Sequence, residues 1–231
     1  MAQYSEKVQY IEKVFRSRQV ILEILRERGY DTTGAEKFGP EEIRQALDAT
    51  PDGSSLEVTI HSKSDKELKP PNYRIYVFLD RLKQKLPGFL KSMEFSGTEG
   101  VKEPNKLGSP VDPVNTGVLC LINEPVAPVF NQASLEMWLK RNLRLSFFYI
   151  DTTQMNPMTH SLVPHHELVP KEQHESLMKT MYVTQKSQFP LIRYHEDPIT
   201  RVIGAVPGDI LKITRSSPSS GEYVLYRVCV P

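Results

Sequence analysis

The sequence contains few residues of the kinds that cross-link a protein, and none of the long apolar runs that anchor one in a membrane. Its 231 residues include two cysteines, Cys120 and Cys229. Both stand in apolar stretches, where a thiol more often packs as a small hydrophobic side chain, so no disulfide is expected. No apolar run reaches the length of a membrane-spanning helix, and residues 1–13 lack the apolar core of a signal peptide. These absences predict a soluble intracellular protein.

An excess of charge of one sign is also lacking. Lys and Arg total 29 against 28 Asp and Glu, which gives a formal net charge of +1. The residues after Asn156 contain 8 of the basic and 7 of the acidic residues, so neither part of the chain is strongly basic. Because a protein that binds nucleic acid by itself usually presents a basic face, any DNA contact is expected to be local and weak.

Motifs for catalysis, metal binding and phosphate binding are missing as well. Five of the six histidines follow Thr159, but none has helical i, i+4 spacing with a third ligand in view. Gly204 and Gly208 bracket a proline, which removes an amide that a phosphate-binding loop would use. No serine stands in a glycine elbow. We therefore expect no cofactor, no metal, no small-molecule substrate, no membrane partner and no enzymatic activity.

Helical spacing of apolar residues dominates the start of the chain. Gly29 is a natural end for the first helix. Pro40 suits the first turn of a second helix, which continues through Leu47. The apolar face of the first helix is formed by Val8, Ile11, Phe15, Leu22 and Leu25. The pattern predicts a helix hairpin.

Strand and helix patterns alternate after that hairpin. Residues 56–60 and 73–79 predict an adjacent pair of strands, and residues 118–122 a short buried strand. Helical spacing over 82–90 meets Pro87, which would break or bound that helix. A further helix is predicted at 131–142, capped by Ser134 or Asn131 and packed through Leu135, Trp138 and Leu139, and a strand at 143–150. This succession indicates a small α/β layer.

Two segments lack periodicity. Residues 97–117 hold four glycines and three prolines, which predicts a mobile insertion. Residues 151–164 are polar and irregular, which predicts a linker. The predicted domains are therefore 1–152 and 153–231. The predicted fold class is mixed α+β, with an N-terminal α/β domain and a small C-terminal mixed α/β domain.

The predicted C-terminal domain contains one helix and a hairpin. Residues 171–182 have helical spacing. Residues 210–214 and 223–230 are rich in β-branched and aromatic types and are joined by turn residues at 216–221, which predicts an antiparallel hairpin.

Two groups of residues in this domain have both a structural and a binding interpretation. Asp197 and Pro198 suit a helix start, whereas Arg193, Arg201 and Arg215 with Asp197 suit a hydrogen-bonding surface for a partner's carboxylates or carbonyls. The apolar run 168–170 is either a strand edge or part of the core. Ringed by tyrosines and an arginine, it would also suit a permanent subunit interface.

An ordered set of residues in the last third resembles one protein family. The set is His166, Glu167, Leu168, Val169, Pro170, Phe189, Pro190, Leu191, Ile192, Arg193, Asp197, Pro198, Arg201, Lys212, Ile213, Arg215, Ser217, Gly221, Tyr223, Tyr226, Arg227 and Val228. It resembles the C-terminal assembly domain of the fifth, shared subunit of eukaryotic nuclear RNA polymerases and the small archaeal polymerase subunit that corresponds to that domain. More loosely, Arg28, Gly29 and Tyr30 are similar to the end of the family's first helix.

The resemblance implies a non-catalytic structural subunit of a nuclear DNA-dependent RNA polymerase. Its N-terminal domain would form part of a jaw near downstream DNA. Its C-terminal domain would dock on the largest subunit, beside neighbouring small subunits, in the nucleus. The residues expected to bind the partner are His166, Leu168, Val169, Pro170, Pro190, Arg193, Asp197, Pro198, Arg201, Arg215, Tyr226 and Arg227.

The chain departs from the family pattern at several positions, and two other function classes stay open. Glu172 stands where the family has a histidine, Thr200 where it has alanine, and Glu222 where it has arginine, which suggests a divergent lineage or a paralogue dedicated to one polymerase class. The first alternative is an assembly or transport factor outside the polymerase. The second is an enzyme using His165 or His166 as a general base, which would need a carboxylate and a pocket.

Overall fold

The structure is a computed structural model that describes residues 2–63, 70–93, 111–217, 219 and 221–231, with side chains described from Lys7 onward. The described chain divides into two compact units, Met1–Met155 and Asn156–Pro231. Each unit has its own sheet, and the mixed α+β fold class is confirmed. Of the predicted insertion, residues 97–110 lie outside the described residues.

The first unit opens with the predicted helix pair. Helix α1 (Ala2–Glu27) is followed by Gly29, whose φ of 98° is a backbone conformation that glycine adopts readily. Strand β1 (Tyr30–Asp31) and the short helix α2 (Thr33–Glu36) precede α3 (Pro40–Ala49). Helix α3 begins as predicted at Pro40, and the Glu42 carboxylate accepts a hydrogen bond from the Gly39 amide at 3.0 Å. The sequence pattern does not predict α2.

Five strands form the sheet of the first unit in the order β1-β2-β3-β4-β5. Strands β2 (Val58–Ser62) and β3 (Asn72–Phe78) are the predicted adjacent pair and run antiparallel. Strands β4 (Thr116–Ile122) and β5 (Leu145–Tyr149) continue the sheet in parallel. Parallel neighbours need crossover connections. Helices α4 (Leu82–Ser92) and α5 (Pro128–Arg141) lie in the β3–β4 and β4–β5 connections.

The Arg28–Gly29–Tyr30 motif joins the end of α1 to this sheet. The Arg28 guanidinium donates a 2.6 Å hydrogen bond to the Tyr73 hydroxyl, and the Tyr30 hydroxyl donates to the Pro70 carbonyl at 2.6 Å. The Tyr30 and Tyr73 rings meet edge to face with centroids 5.1 Å apart. Both rings are buried, so the motif has a packing role in this unit.

Helix α4 corrects the expectation that Pro87 breaks or bounds the helix. Pro87 lies inside α4, which continues to Ser92. An interior proline costs about 3 kcal/mol. Burying the side chains of Leu82, Leu86 and Phe89 contributes roughly 1.5–3 kcal/mol each and outweighs that cost.

Helix α5 corrects the predicted cap and the predicted apolar face. It begins at Pro128, so neither Asn131 nor Ser134 caps it. Ser134 lies inside the helix, fully buried, and its hydroxyl donates to the Leu145 carbonyl of β5. Leu139 is 63% exposed, whereas Phe130 and Met137 are buried. The helix therefore packs through a stripe next to the predicted one.

Of the two segments predicted to be irregular, the expectation for the first is also corrected. Residues 111–117 are not part of a mobile insertion, because Val111 packs in the core and β4 begins at Thr116. Residues 151–164, the predicted linker, contain the division between the two units after Met155, and Thr153 and Asn156 within them are buried. The Asn156 side chain accepts a hydrogen bond from the Met158 amide at 3.0 Å and caps a 3-10 turn, Pro157–Thr159.

The second unit contains a four-stranded sheet in the order β6-β8-β9-β7. Strands β8 (Ile210–Ser217) and β9 (Gly221–Val230) form the predicted antiparallel hairpin. Strand β6 (His165–Leu168) pairs antiparallel with β8, and β7 (Leu191–Arg193) pairs parallel with β9. Helix α6 (His174–Thr180) follows a 3-10 turn, Lys171–Gln173, and is shorter than predicted. In the chain, helix α7 (Pro198–Ile203) follows β7 and precedes β8.

Apolar residues cover both faces of the β8–β9 ladder at the end away from its turn. Ile210 and Val228 face each other and pack with Phe189. Leu211 and Cys229 are the next residues along and point to the opposite face, where they are also buried. Cys120 is equally buried, so both thiols are free and enclosed as the sequence predicts.

Glycine at position 117 is required by close packing against Tyr73. A Cβ atom there would lie 2.9 Å from both Cδ1 and Cζ of the Tyr73 ring, and nearer still to Cε1. We expect Gly117→Ala to lower the free energy of unfolding by about 1–3 kcal/mol, because the buried ring cannot withdraw freely. The matched control is Gly88→Ala in α4, where a Cβ meets nothing within 4 Å. Urea denaturation of both variants measures the difference, and equal midpoints would contradict it.

Candidate functional site

A groove of about 340 Å³ opens on one face of the second unit. We call it the β6–α6 groove, because its walls come from the end of β6, from α6, and from one residue each of β8 and β9. The lining residues are Glu167, Leu168, Val169, Pro170, Gln173, Ser176, Leu177, Thr180, Lys212 and Tyr226. Four of the residues predicted to bind a partner therefore line one groove.

The local sequence explains why β6 ends at this groove. The Val169 amide donates to the Ile210 carbonyl at 2.9 Å, and Pro170 has no amide with which to continue the ladder. The predicted alternative that residues 168–170 form a strand edge is thus correct for Leu168. Leu168 stays 38% exposed, while Val169 packs against the core formed by Phe189, Ile210 and Val228.

A buried histidine holds α6 against the end of β6. His174 Nε2 lies 3.0 Å from the Val169 carbonyl oxygen, and its Nδ1 lies 2.9 Å from Lys186 Nζ. An ammonium group can only donate, so Nδ1 accepts and Nε2 carries the proton that it donates to Val169. Lys186 also donates to the Gly208 carbonyl at 2.7 Å. These bonds fix the width of the groove.

Aromatic and charged groups complete the groove. The Tyr226 ring packs against Phe189 with centroids 6.4 Å apart, and Lys212 Nζ lies 3.5 Å from the Glu167 carboxylate. The groove is lined by apolar and polar side chains together, and Glu167 and Lys212 form a charged pair among them. Such a surface suits a polypeptide partner, because aromatic residues favour interface cores and charged residues favour rims.

The outer edge of β6 has no neighbouring strand within the described part of the chain. Because Val169 faces β8, the peptide groups of His166 and Leu168 face away from it. The His166 ring lies over the turn before the strand, with Nδ1 2.6 Å from the Pro164 carbonyl oxygen. An edge of this kind can pair with an extended segment of another chain.

At the opposite edge of the sheet, in and next to β7, the backbone carbonyl groups accept hydrogen bonds from within the unit. The Arg227 guanidinium donates to the Leu191 carbonyl at 3.0 Å, and the Pro190 carbonyl accepts from Val228. The Arg193 carbonyl accepts from the Thr200 hydroxyl at 3.2 Å. Thus Pro190 and Arg227 contribute to the structure of the sheet itself.

Asp197 and Pro198 start α7 as the structural interpretation predicts. Asp197 Oδ1 accepts a 2.8 Å hydrogen bond from the Ile199 amide, and Pro198 occupies the first helical position. Arg201 follows this cap in α7 and is partly buried. Burial lowers the pKa of Arg201, and the Asp197 charge opposes that change.

The three arginines predicted to form one hydrogen-bonding surface are spread along the sheet. Arg193 lies opposite Val230 and pairs with Glu196 at 2.9 Å, whereas Arg215 lies opposite Tyr223 near the hairpin tip and stacks 5.0 Å from its ring centre. Val230 follows Tyr223 by seven positions, so the two arginines are roughly 20 Å apart along β9. A role for each arginine in partner binding remains a prediction.

Sequence reasoning missed part of this surface. The α6 wall was not predicted as a binding element, although Leu177 carries the helical signal that aims it at the sheet. Tyr223 and Val224 are exposed on β9, and Leu191 on β7. Whether these apolar residues are exposed depends on which strands pair, and no sequence pattern predicts that pairing.

Over the described ranges, no group of three His, Cys, Asp or Glu side chains converges to hold a metal ion. None of the helices in those ranges has the length and hydropathy needed to cross a bilayer.

Comparison with known proteins decides the family. The sequence model of the RNA polymerase Rpb5 C-terminal domain matches residues 155–229. DNA-directed RNA polymerase subunit Rpo5 of Archaeoglobus fulgidus is 51% identical over 71 residues, which are 31% of this chain and 91% of that protein. The chain belongs to the Rpb5 family. It is a subunit of a DNA-directed RNA polymerase.

Two more relatives of this Rpb5-family chain differ in how much of it they cover. A subunit of DNA-directed RNA polymerases I, II and III of Dictyostelium discoideum is 26% identical over 220 residues, 95% of this chain and 98% of that protein. The Rpo5 subunit of Sulfurisphaera tokodaii is 43% identical over 77 residues, 33% of this chain and 89% of that protein. The Dictyostelium match includes most of the first unit as well.

Stability of the second unit should depend on the protonation of His195. Burial lowers the pKa of His195 to about 3, and the Arg201 charge acts in the same direction. The unfolded chain, with an ordinary histidine pKa near 6.5, binds this proton first as the pH falls, so stability decreases below that pH. We expect a loss of about 2 kcal/mol at pH 5 relative to pH 7.

The variant His195→Asn isolates this contribution. Asparagine suits the positive φ of 61° at this position and does not titrate. Hydrogen exchange of the β8 and β9 amides at pH 7 and pH 5 should show a smaller pH dependence than in the parent chain. His165→Asn, at an exposed position on β6, is the control and should leave the dependence intact. The same pH dependence in all three proteins would contradict the assignment.

Proposed function

We propose that the second unit docks on the largest subunit of a DNA-directed RNA polymerase through the β6–α6 groove and the outer edge of β6. The observation that carries the proposal is that the outer edge of β6, which pairs with no described strand, borders the β6–α6 groove. The partner would add polypeptide to that edge and place an apolar side chain against Leu168 and Tyr226. His166, Val169 and Pro170 would position this surface.

The archaeal relatives support an assembly role for this part of the chain. A match of only 71 residues covers 91% of the Archaeoglobus subunit, and a match of 77 residues covers 89% of the Sulfurisphaera subunit. These proteins are therefore little longer than the C-terminal domain matched here at residues 155–229. A polymerase subunit of that size needs no counterpart of the first unit, so attachment to the enzyme is best placed in the second unit.

The first unit would form part of a jaw near downstream DNA, and neighbouring small subunits would lie beside the second unit. The Dictyostelium relative, which extends over both units, is named as a subunit of polymerases I, II and III. We place this chain in the nucleus on the same basis. With 21 basic residues (29 minus 8) against 21 acidic ones (28 minus 7) before Pro157, the first unit would contact DNA only locally.

Affinity purification of the tagged full-length chain tests this function. We expect the two largest polymerase subunits to be recovered in amounts equal to the tagged chain. Recovery of neither would end the proposal, and substoichiometric, transient recovery would favour an assembly factor outside the polymerase.

Leu168→Asp tests whether the groove and the β6 edge form the docking surface. A carboxylate buried without a partner at an interface costs about 2–5 kcal/mol, so we expect recovery of the largest subunit to fall at least about tenfold. Leu162→Asp is the matched control, because Leu162 is 85% exposed in the same unit and outside the groove. Equal losses in both variants, or a loss in neither, would count against this surface.

Arg215→Glu tests the hairpin tip separately. If the partner extends to this end of β9, the substitution should weaken assembly, because it reverses a charge and removes the stacking contact with Tyr223. Arg193→Glu is the comparison at the far end of the strand. Unchanged incorporation of the Arg215 variant would confine docking to the groove.

A further inference from the structure

Tyr182 is an aromatic residue in the left-handed region of backbone conformation. Its φ is 55°, just after the end of α6 in the second unit. Two other non-glycine residues of the described chain have a positive φ, Asn142 and His195. Asparagine and histidine are enriched in this region, whereas a bulky residue is disfavoured there because its Cβ crowds the backbone. Tyr182 is therefore the exceptional residue of the three.

The hydrogen bonds that end α6 impose this conformation. The Tyr182 amide donates to the Lys179 carbonyl at 3.2 Å, and the Val183 amide donates to the Met178 carbonyl at 2.9 Å. Met178 and Val183 also pack against the core of the unit. This is a Schellman motif, in which the residue with positive φ is usually glycine and sometimes asparagine. The fold would therefore accept a smaller residue at position 182 at lower cost.

The Tyr182 side chain does not offset that cost within its own unit. It is 96% exposed, more than any other large hydrophobic side chain of the described residues. An exposed ring forgoes the burial through which aromatic residues contribute stability. Because strained positions concentrate where a protein binds or acts, an unburied tyrosine at such a position indicates contact with another molecule.

Tyr182 lies next to the β6–α6 groove. Thr180, the last residue of α6, lines the groove, and the half-exposed Met181 connects it to Tyr182. A groove of about 340 Å³ admits only a few side chains, whereas a stable interface buries roughly 800 Å² of each partner. A partner seated in the groove must therefore also cover surface around it. Directly beyond α6, that surface is formed by Met181 and Tyr182.

We propose that Tyr182 is an anchor residue that inserts into a pocket of the largest polymerase subunit when that subunit occupies the groove. The inference rests on the proposed docking function and adds a contact outside the groove. The pocket would have apolar walls for the ring and an oxygen acceptor for the hydroxyl, because tyrosine has an apolar body and a polar tip. Tyrosine is among the residue types that carry most of the binding energy at interfaces.

Competition for the largest subunit tests the anchor. Parent and variant chains are expressed together at full length, and the largest subunit is purified. Mass spectrometry then compares the ratio of the two bound chains with their ratio in the lysate. Tyr182→Asn suits the backbone conformation and removes the ring, so we expect this variant to be depleted at least about tenfold. Equal shares of variant and parent would overturn the anchor.

Tyr182→Phe tests the acceptor in the partner's pocket. Phenylalanine keeps the ring but leaves a buried acceptor unpaired, so we expect depletion of about threefold, smaller than that of Tyr182→Asn. A share equal to that of the parent chain would refute the acceptor. Depletion as strong as that of Tyr182→Asn would refute a binding contribution from the ring.

Asn142→Gly is the matched control for a change at a positive φ. Asn142 is exposed at the end of α5 in the first unit, with a φ of 54°. This variant should keep the same share as the parent chain. If it were depleted as strongly as Tyr182→Asn, the effect at position 182 would come from the backbone and the anchor would be wrong.

Hydrogen exchange separates binding from folding. Since asparagine tolerates a positive φ, the β8 and β9 amides of purified Tyr182→Asn should exchange no faster than those of the parent chain. Faster exchange would mean that Tyr182 stabilises the fold, which contradicts the proposal. Depletion of Leu168→Asp without depletion of Tyr182→Asn would refute the anchor and leave docking by the groove intact. Absence of the parent chain from the purified subunit would refute the docking function and the anchor together.

Discussion

The antiparallel β8–β9 ladder is the interaction on which the second unit depends. In the described sheet, β6 pairs with β8 and β7 pairs with β9. Both outer strands therefore depend on the pairing between β8 and β9. Ile210 faces Val228 across it, and this pair forms the core with Phe189 against which Val169 and Leu177 pack. The groove and the free edge of β6 exist because the ladder holds these elements in register.

The hairpin was predictable because its signals are local. Strands of β-branched and aromatic residues joined by a turn-rich segment specify their own pairing over a short stretch of chain. The Asp197 cap was predictable for the same reason, since its acceptor and the Ile199 amide are two residues apart. The end of α1 at Gly29 follows equally from one residue's backbone freedom.

The arginines show where such reasoning stops. Arg193, Arg201 and Arg215 are close in the sequence and have the same side chain. The sheet nevertheless places Arg193 and Arg215 at opposite ends of β9, and Arg201 is partly buried in α7. Pro87 and Ser134 were misjudged for a related reason. Each has a strong local preference that the burial of neighbouring apolar side chains overrides, because several buried side chains together outweigh one unfavourable backbone position.

By itself, the sequence determined the mixed fold class, the hairpin, the helix pair at the start of the chain and the family to which the chain belongs. Those properties depend on periodicity, turn chemistry and the order of residues. The tertiary structure alone decided that four of the proposed contact residues line one groove and that Arg193 and Arg215 lie near opposite ends of β9. Both facts depend on contacts between residues distant in sequence, which are set by the packing of whole elements and not by any local preference.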